Sequence, residues 1–96
     1  MTSHHEGDFA TVVVTGEVDL ASVVGLRREL RAARGNLRVD LGDVDVIDSV
    51  GIGLLLGAAR RTRERGDTFA VVAAPDHVMS LFRRCGVHGV LTGVES

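Results

Sequence analysis

The sequence predicts an α/β domain with a mixed, mostly parallel sheet of about five strands and helices packed against it. Two periods of hydrophobicity alternate along the chain: short β-branched runs typical of strands, and segments with apolar residues three and four positions apart, typical of helices. A glycine follows each of three helical segments, as is common at helix ends. Strands that alternate with helices indicate parallel strands joined by right-handed crossovers.

The first part of the chain predicts a strand followed by a helix. The run FATVVVT, residues 9–15, is β-branched and apolar. The preceding residues 1–8 are interpreted as a short antiparallel edge strand that turns back at Gly7 and Asp8, or as a flexible tail. After the segment GEVDLAS, residues 16–22, a helix is predicted. Its apolar stripe comprises Val23, Leu26, Leu30 and Ala33, with Gly35 after it.

The middle of the chain repeats this order. A second strand, NLRVDL, residues 36–41, ends at Gly42 and leads through an acidic bridge to the next helix. The apolar stripe of that helix comprises Ile52, Leu55, Leu56 and Ala59, and Gly66 ends it. The run TFAVVAA, residues 68–74, is apolar throughout, as expected of a strand buried on both faces.

The last predicted elements are a helix and a short strand. Pro75 and Asp76 begin the helix, and Gly86 ends it. The apolar stripe of this helix comprises Val78, Leu81, Phe82 and Cys85. The segment GVLTGV, residues 89–94, predicts a final short strand. Residues 1–96 are therefore interpreted as one domain.

The composition excludes several classes of function. Cys85 is the only cysteine, so an internal disulfide and a paired-cysteine metal site are ruled out. All 11 basic residues are arginine, and without lysine neither a Walker-type phosphate loop nor Schiff-base chemistry is available. A net charge of −2 and only three aromatic residues, all phenylalanine, argue against direct binding of nucleic acid. No cofactor and no metal are expected.

The sequence also predicts where the protein acts. The N-terminal segment MTSHHEGDF has no apolar signal core, and the longest apolar run, residues 50–59, is shorter than the roughly 20 residues that span a bilayer. A cytoplasmic protein without membrane contact is therefore expected. Two segments, RRELRAARGNLR and RRTRERG, are rich in arginine. They are interpreted as solvated helix faces because acidic residues are interleaved with the arginines, namely Glu29, Glu64 and Asp67.

The junction IDSVGIG, residues 47–53, is the strongest candidate for a functional site. Asp48 fits the N-cap of the following helix, and Ile47 with Ile52 fits a hydrophobic staple. Ser49 is then the first helical residue, at the positive end of the helix dipole. Capping alone explains an Asp-Ser pair at this position. A phosphate-binding loop, a nucleophile and a serine that receives a phosphate are the functional alternatives.

Two of these alternatives fit the residues poorly. Gly51, Gly53 and Gly57 form a G-x-G-x-x-x-G variant of a dinucleotide-binding loop. Aspartates precede this loop and would repel a pyrophosphate, so close packing of helix against sheet is the simpler explanation of the glycines. A hydrolase would need a base beside Ser49, but no motif places a histidine there and the G-x-S-x-G elbow is missing. An enzyme is therefore not expected.

Three segments resemble, in order and spacing, the STAS domain and, more narrowly, bacterial anti-sigma factor antagonists. They are TGEVDLAS (15–22), RVDLGDVDVIDSVGIGLLLGAARRTRERGD (38–67) and FAVVAAPDHVMSLFRRCGV (69–87), which together cover nearly the whole chain. The most specific parts are the G-E-V-D turn and the pattern D-S-x-G-I-G-x-L-L. The resemblance implies a single STAS-like α/β domain.

Partners and site residues are implied by this resemblance. In the family, the serine after the aspartate is phosphorylated by the anti-sigma factor itself, a serine kinase with a histidine-kinase-like ATPase fold. The unphosphorylated antagonist binds that kinase and frees a sigma factor, and a serine phosphatase resets the switch. Ser49 matches the phospho-acceptor, and Ile52 is expected to be a partly exposed contact. The residues that match the kinase contact and switch are Asp19, Asp48, Gly51, Ile52 and Gly53.

The sequence departs from the family pattern in two ways, and the first supports an alternative hypothesis. Val50 stands where many members have a second hydroxyl residue, and the chain stops at Ser96, where many members continue into a further helix. The alternative is a STAS scaffold or ligand-sensing module that is never phosphorylated. For the phosphorylation hypothesis, the turn with Asp19 and the junction with Asp48 and Ser49 are expected at the edge where the parallel strands end.

Overall fold

The computed structural model describes residues 1–93, which form a four-stranded mixed sheet with four helices. In chain order the elements are β1 (Thr2–Glu6), β2 (Phe9–Val18), α1 (Val23–Ala32), β3 (Asn36–Ile47), α2 (Ser49–Glu64), β4 (Phe69–Val72), α3 (Asp76–Arg84) and α4 (His88–Thr92). The strands lie in the order β1-β2-β3-β4, with β1 antiparallel to β2 and the other two pairs parallel. The predicted α/β class and mostly parallel sheet are confirmed, with four strands in place of about five.

The N-terminal segment forms the edge strand β1. It pairs with β2 from Thr2 beside Val13 to Glu6 beside Phe9. Gly7 and Asp8 make the turn between the two strands, and the φ of Gly7, +58°, lies in the left-handed region that glycine adopts without strain. Of the two interpretations of this segment, the structure has the strand and not the flexible tail.

The C-terminal segment is helical, so the prediction of a final strand at GVLTGV is wrong. Helix α4 covers His88–Thr92, and Gly93 ends it in a left-handed conformation. The amide of Leu91 donates to the carbonyl of Val87 at 3.0 Å, and Leu91 is fully buried. The β-branched composition of the segment suggested a strand, but the four-residue spacing of these two apolar residues is helical. Val94, the last residue of the predicted strand, lies outside the described residues.

Strands β2 and β3 both run further than predicted, to Val18 and Ile47. Two register shifts, at residues 41–42 and at Asp45, each insert one extra residue into β3. As a result, its inward-facing apolar residues are spaced two, three and three positions apart. These buried residues are Val39, Leu41, Val44 and Ile47. The bulges break the alternation that marks a strand, so the sequence suggested an acidic bridge after residue 41.

The helices cover the sheet with the apolar stripes that their spacing predicts. The stripe of α1 is buried along its whole length, as are Ile52, Leu55 and Ala59 of α2. In α3, Val78 and Phe82 are buried, but Cys85, predicted on the same stripe, is exposed. Glycines follow α1, α2 and α3 with positive φ angles, as predicted: Gly35, Gly66 and Gly86. No helix within residues 1–93 is long and apolar enough to cross a membrane.

Strand β4 is buried on one face only, contrary to the prediction for TFAVVAA. Phe69 and Val71 are buried, whereas Ala70 and Val72 are half-buried. Its neighbour β3 alternates in the same way along their paired stretch, with Leu37 buried beside an exposed position. An apolar composition therefore does not by itself report burial on both sides of a strand.

Candidate functional site

Asp48 caps helix α2 at the point where β3 ends. Its backbone is extended, and its carboxylate oxygen Oδ1 accepts a hydrogen bond from the amide of Gly51 at 3.1 Å. The amide of Asp48 donates to the carbonyl of Val18 at 3.3 Å. The predicted N-cap is confirmed, and it joins the start of α2 to the end of β2.

Ser49 is the first residue of α2 and is exposed. Its hydroxyl makes no hydrogen bond to any other residue in the described range 1–93. Val50 beside it has 41% of its surface exposed. The free amides of the first helical turn make the local potential positive. The hydroxyl is therefore accessible to a modifying enzyme and is not needed to hold the fold.

The turn after β2 brings Asp19 to the same edge of the sheet. Val18 pairs with Ile47 in the sheet register. The residues that follow these two, Asp19 and Asp48, therefore lie at neighbouring positions. The half-buried Asp19 accepts a hydrogen bond from the amide of Ser22 at 3.1 Å, and its own amide donates to the hydroxyl of Ser22 at 2.9 Å. This reciprocal pair fixes the turn before α1 and the position of the carboxylate.

The three glycines of the junction have different surroundings. A Cβ added at Gly51 would lie 2.7 Å from Val18 Cγ1 and 2.9 Å from Ile47 Cγ1, closer than real Cβ contacts come. Gly51 is therefore explained by close packing of helix against sheet, as the sequence suggested. Gly53 is exposed with open space around it, and a Cβ at Gly57 would meet only Arg61. The packing explanation does not extend to these two.

Ile52 lies in the core, so the prediction that it is a partly exposed contact is wrong. Its exposed fraction is 6%, and that of Ile47 is 5%. The apolar residues that do reach the surface near this edge were missed by sequence reasoning. They are Leu20 at 76%, Val24 at 64%, Val46 at 56% and Val50 at 41% exposed. The sequence could have identified them, because they fall outside the apolar stripes of the helices and the inward-facing positions of β3.

No histidine hydrogen-bonds to Ser49 within residues 1–93. His77, in the first turn of α3, hydrogen-bonds through Nε2 to the carbonyl of Asp45, the bulge residue of β3. His4 and His5 lie on the exposed strand β1, and His88 begins α4. Within residues 1–93, no group of three His, Cys, Asp or Glu side chains is placed to hold a metal ion.

A four-stranded, mostly parallel sheet with an exposed serine at the first turn of α2 is the arrangement expected of a STAS-type regulatory domain. The chain belongs to the STAS domain family: the family model described as "Mlab, STAS domain" matches residues 1–93. The resemblance inferred from the sequence is thereby confirmed.

Relatives and solved structures agree with this assignment. The anti-sigma-B factor antagonist of Listeria monocytogenes is 26% identical over 88 residues, which are 88% of this chain and 77% of the relative. That of Bacillus subtilis is 29% identical over 83 residues, 83% of this chain and 76% of the relative. The anti-sigma factor antagonist SpoIIAA is similar in fold in its unphosphorylated form, with a TM-score of 0.79, 16% identity and coverage of 95% of this chain and 84% of SpoIIAA. The phosphorylated form of SpoIIAA is also similar in fold, with a TM-score of 0.75, 16% identity and coverage of 95% of this chain and 87% of SpoIIAA.

Proposed function

We propose that the protein is a cytoplasmic anti-sigma factor antagonist that is switched by phosphorylation of Ser49. Unphosphorylated, it binds an anti-sigma factor serine kinase with a histidine-kinase-like ATPase fold, and a sigma factor is released. The kinase transfers the γ-phosphoryl group of ATP to the Ser49 hydroxyl, which ends binding, and a serine phosphatase restores the starting state. The protein itself performs no catalysis. The observation that carries the proposal is the exposed, unbonded hydroxyl of Ser49 at the first turn of α2.

The surroundings of Ser49 are suited to a phosphate that leaves the fold intact. A phosphoserine carries about −1.5 to −2 charges at neutral pH. The positive end of α2 stabilises that charge by roughly 0.3–1 kcal/mol, while the neighbouring carboxylates of Asp48 and Asp19 oppose it. Since the Ser49 hydroxyl holds no other group within residues 1–93, phosphorylation breaks no hydrogen bond of the domain. The modification therefore acts on the surface and not on the core.

The surface around Ser49 supports docking of a protein partner. We define the switch face as Leu20, Val24, Ser49, Val50 and Gly53, which lie in the turn before α1 and in the first turns of α1 and α2. Its three large side chains are apolar and exposed. An apolar side chain that becomes buried in an interface contributes roughly 1.5–3 kcal/mol. A phosphate in the middle of this face would have to be desolvated on docking, which is costly for an unpaired charge.

The experiment that tests the proposal is phosphorylation by the cognate kinase. Incubation with the kinase and ATP should add one phosphate, which mass spectrometry locates at Ser49. Ser49→Ala should abolish the modification, while Ser80→Ala, at an exposed serine of α3, should leave it unchanged. Phosphate at another residue, or none at all, would contradict the proposed switch.

A second candidate is a STAS scaffold or ligand-sensing module that is never phosphorylated. The observation in its favour is Val50, which leaves the first turn of α2 with one hydroxyl where many family members have two. This candidate predicts that Ser49→Ala retains every interaction of the protein and that no phosphate is found on protein purified from the source cell.

A further inference from the structure

Arginines gather where α1 and α2 end, far from the switch face. Arg31 lies in the last turn of α1, while Arg60, Arg61 and Arg65 lie in or just after the last turns of α2. Burial lowers the pKa of Arg61, and the positive charges of Arg31, Arg60 and Arg65 lower it further. Arg65 also donates through Nη2 to the carbonyl of Gly35, just after α1, at 3.2 Å, so the ends of the two helices lie side by side. We call these four residues the arginine cluster.

The charge of the arginine cluster is only partly neutralised. Arg65 pairs with Asp67 at 3.3 Å, and Arg60 is 3.8 Å from Glu64 with both side chains largely exposed. Neither Arg31 nor Arg61 has a carboxylate within salt-bridge distance in the described part of the chain. The third interleaved acid, Glu29, accepts a hydrogen bond from Ser3 on β1. The interpretation of this region as a solvated face holds for the exposed Arg31, Arg60 and Arg65, whereas Arg61 is half-buried.

Arg61 is held against its helix and does not extend freely into solvent. It is half-buried, and its Nη1 atom would lie 3.2 Å from a Cβ added at Gly57, one turn earlier. The guanidinium group therefore folds back over the glycine on the surface of α2. Arg61 therefore carries its charge close to the surface of α2, where no carboxylate of the described residues pairs with it.

We propose that the arginine cluster is a second docking surface, which binds an acidic segment of a partner protein. Guanidinium groups pair with carboxylates through two parallel hydrogen bonds, so several of them suit a run of Asp or Glu side chains. The net charge of −2 favours a short acidic segment over a nucleic acid or a membrane. A long array of phosphates would also face the acidic side chains of the rest of the domain, and a short acidic segment presents fewer charges to them.

This surface is independent of the switch proposed for Ser49. Arg61 follows Ser49 by twelve residues on the same helix, which corresponds to roughly 18 Å along its axis. At that separation, a phosphate at Ser49 is screened from the cluster by solvent. The two sites can therefore be tested separately, and failure of one leaves the other unaffected.

The test is binding of a fluorescein-labelled oligoglutamate peptide of about ten residues, followed by fluorescence anisotropy at about 50 mM and about 300 mM salt. We expect saturable binding at the lower salt concentration that weakens at the higher one. Loss of one surface arginine–carboxylate pair typically costs about threefold, so Arg31→Gln/Arg61→Gln should bind about tenfold less tightly. The matched control is Arg83→Gln/Arg84→Gln in the last turn of α3, which changes the net charge equally and should bind within about twofold of the unmodified protein.

Several results would overturn the proposal. The first is absence of peptide binding at low salt. The second is a loss of peptide affinity in Arg83→Gln/Arg84→Gln that equals the loss in Arg31→Gln/Arg61→Gln. The third is that a single-stranded DNA of about 20 nucleotides, or phosphatidylglycerol vesicles, bind more tightly than the peptide and that Arg31→Gln/Arg61→Gln loses this binding. The surface would then belong to nucleic acid or membrane instead. Thermal unfolding of Arg31→Gln/Arg61→Gln should occur at an unchanged or higher temperature because repulsion is relieved. The loss of binding would then not be a loss of fold.

Discussion

At the residue scale, Asp48 and Ser49 have separate roles although they are neighbours. The carboxylate of Asp48 satisfies a free amide of the first turn of α2, and its backbone amide bonds to β2. The hydroxyl of Ser49 points to the surface without a partner in the described range. If Ser49 is the phosphorylation site as proposed, stability and signalling are divided between adjacent side chains.

This division predicts different effects of truncating the two residues. Asp48→Ala should lower the free energy of unfolding by about 1 kcal/mol, since an N-cap hydrogen bond is lost, whereas Ser49→Ala should change it by less than about 0.5 kcal/mol. Asp48→Asn is the control, because asparagine caps equally well but carries no charge, and it should retain most of the stability. Urea denaturation measures all three. Equal destabilisation by Asp48→Ala and Ser49→Ala would contradict the assignment.

Gly51 and Gly53 lie two residues apart but should respond oppositely to alanine. Gly51→Ala places a methyl group against Val18 and Ile47, which should cost about 1–3 kcal/mol through overpacking. Gly53→Ala meets nothing within 4 Å and should raise stability by about 0.5–1 kcal/mol through helix propensity. Thermal unfolding of the two variants distinguishes them. A stabilised Gly51→Ala variant would mean that α2 and the sheet are not this close.

At the element scale, helices α1, α2 and α3 were predictable from the sequence, whereas α4 and parts of the strands were not. The stripe of α1, for instance, follows directly from its three- and four-residue spacing. The predicted strand β3 ended at residue 41, too early, because two bulges interrupt its alternating pattern. These bulges arise from pairing with β2, and no local sequence pattern indicates them. Long-range contacts therefore decide the length of β3. Ile52, by contrast, belongs to the apolar stripe of α2, so its burial agrees with the spacing and not with its expected role as a partly exposed contact.

Arg63 joins three elements and should matter more for stability than its neighbours. Its Nη2 donates to the carbonyl of Phe69 in β4 at 3.2 Å and to the carbonyl of Val90 in α4 at 2.7 Å. Arg63→Ala leaves both carbonyls without this charged donor and should cost about 1.5–3 kcal/mol. Arg60→Ala is the matched control, because that side chain is 77% exposed, and should cost less than about 0.5 kcal/mol. Urea denaturation measures both variants, and similar losses in the free energy of unfolding would show that the two hydrogen bonds of Arg63 do not stabilise the fold.

At the scale of the whole molecule, the two ends of α2 differ in chemistry. Its first turn belongs to the switch face, which is apolar apart from Ser49 and is bordered by Asp19 and Asp48. Its last turns carry the arginine cluster. Both ends are placed by the parallel strands, which bring the starts of the crossover helices to one edge of the sheet. The fold therefore presents an apolar surface near the start of α2 and a positively charged surface near its end.

The switch face predicts which exposed apolar residue a kinase contacts. Leu20→Asp should weaken binding of the cognate kinase by about tenfold or more, since a carboxylate would be buried in the interface. Because Leu20 is 76% exposed, circular dichroism and thermal stability should stay close to those of the unmodified protein. Val90→Asp, at an exposed position of α4, is the control and should bind normally. Equal weakening by the two variants would contradict this placement of the interface.

Calorimetric titration of the cognate kinase with the protein, before and after phosphorylation of Ser49, tests whether this phosphate is the switch. Unphosphorylated protein and Ser49→Ala should bind with similar affinity. The phosphorylated protein should bind about tenfold or more weakly, because a charge of about −1.5 to −2 lies on the switch face. Its far-ultraviolet circular dichroism should be unchanged. Equal affinity of the phosphorylated and unphosphorylated forms would contradict the account and favour a scaffold that is never switched at Ser49.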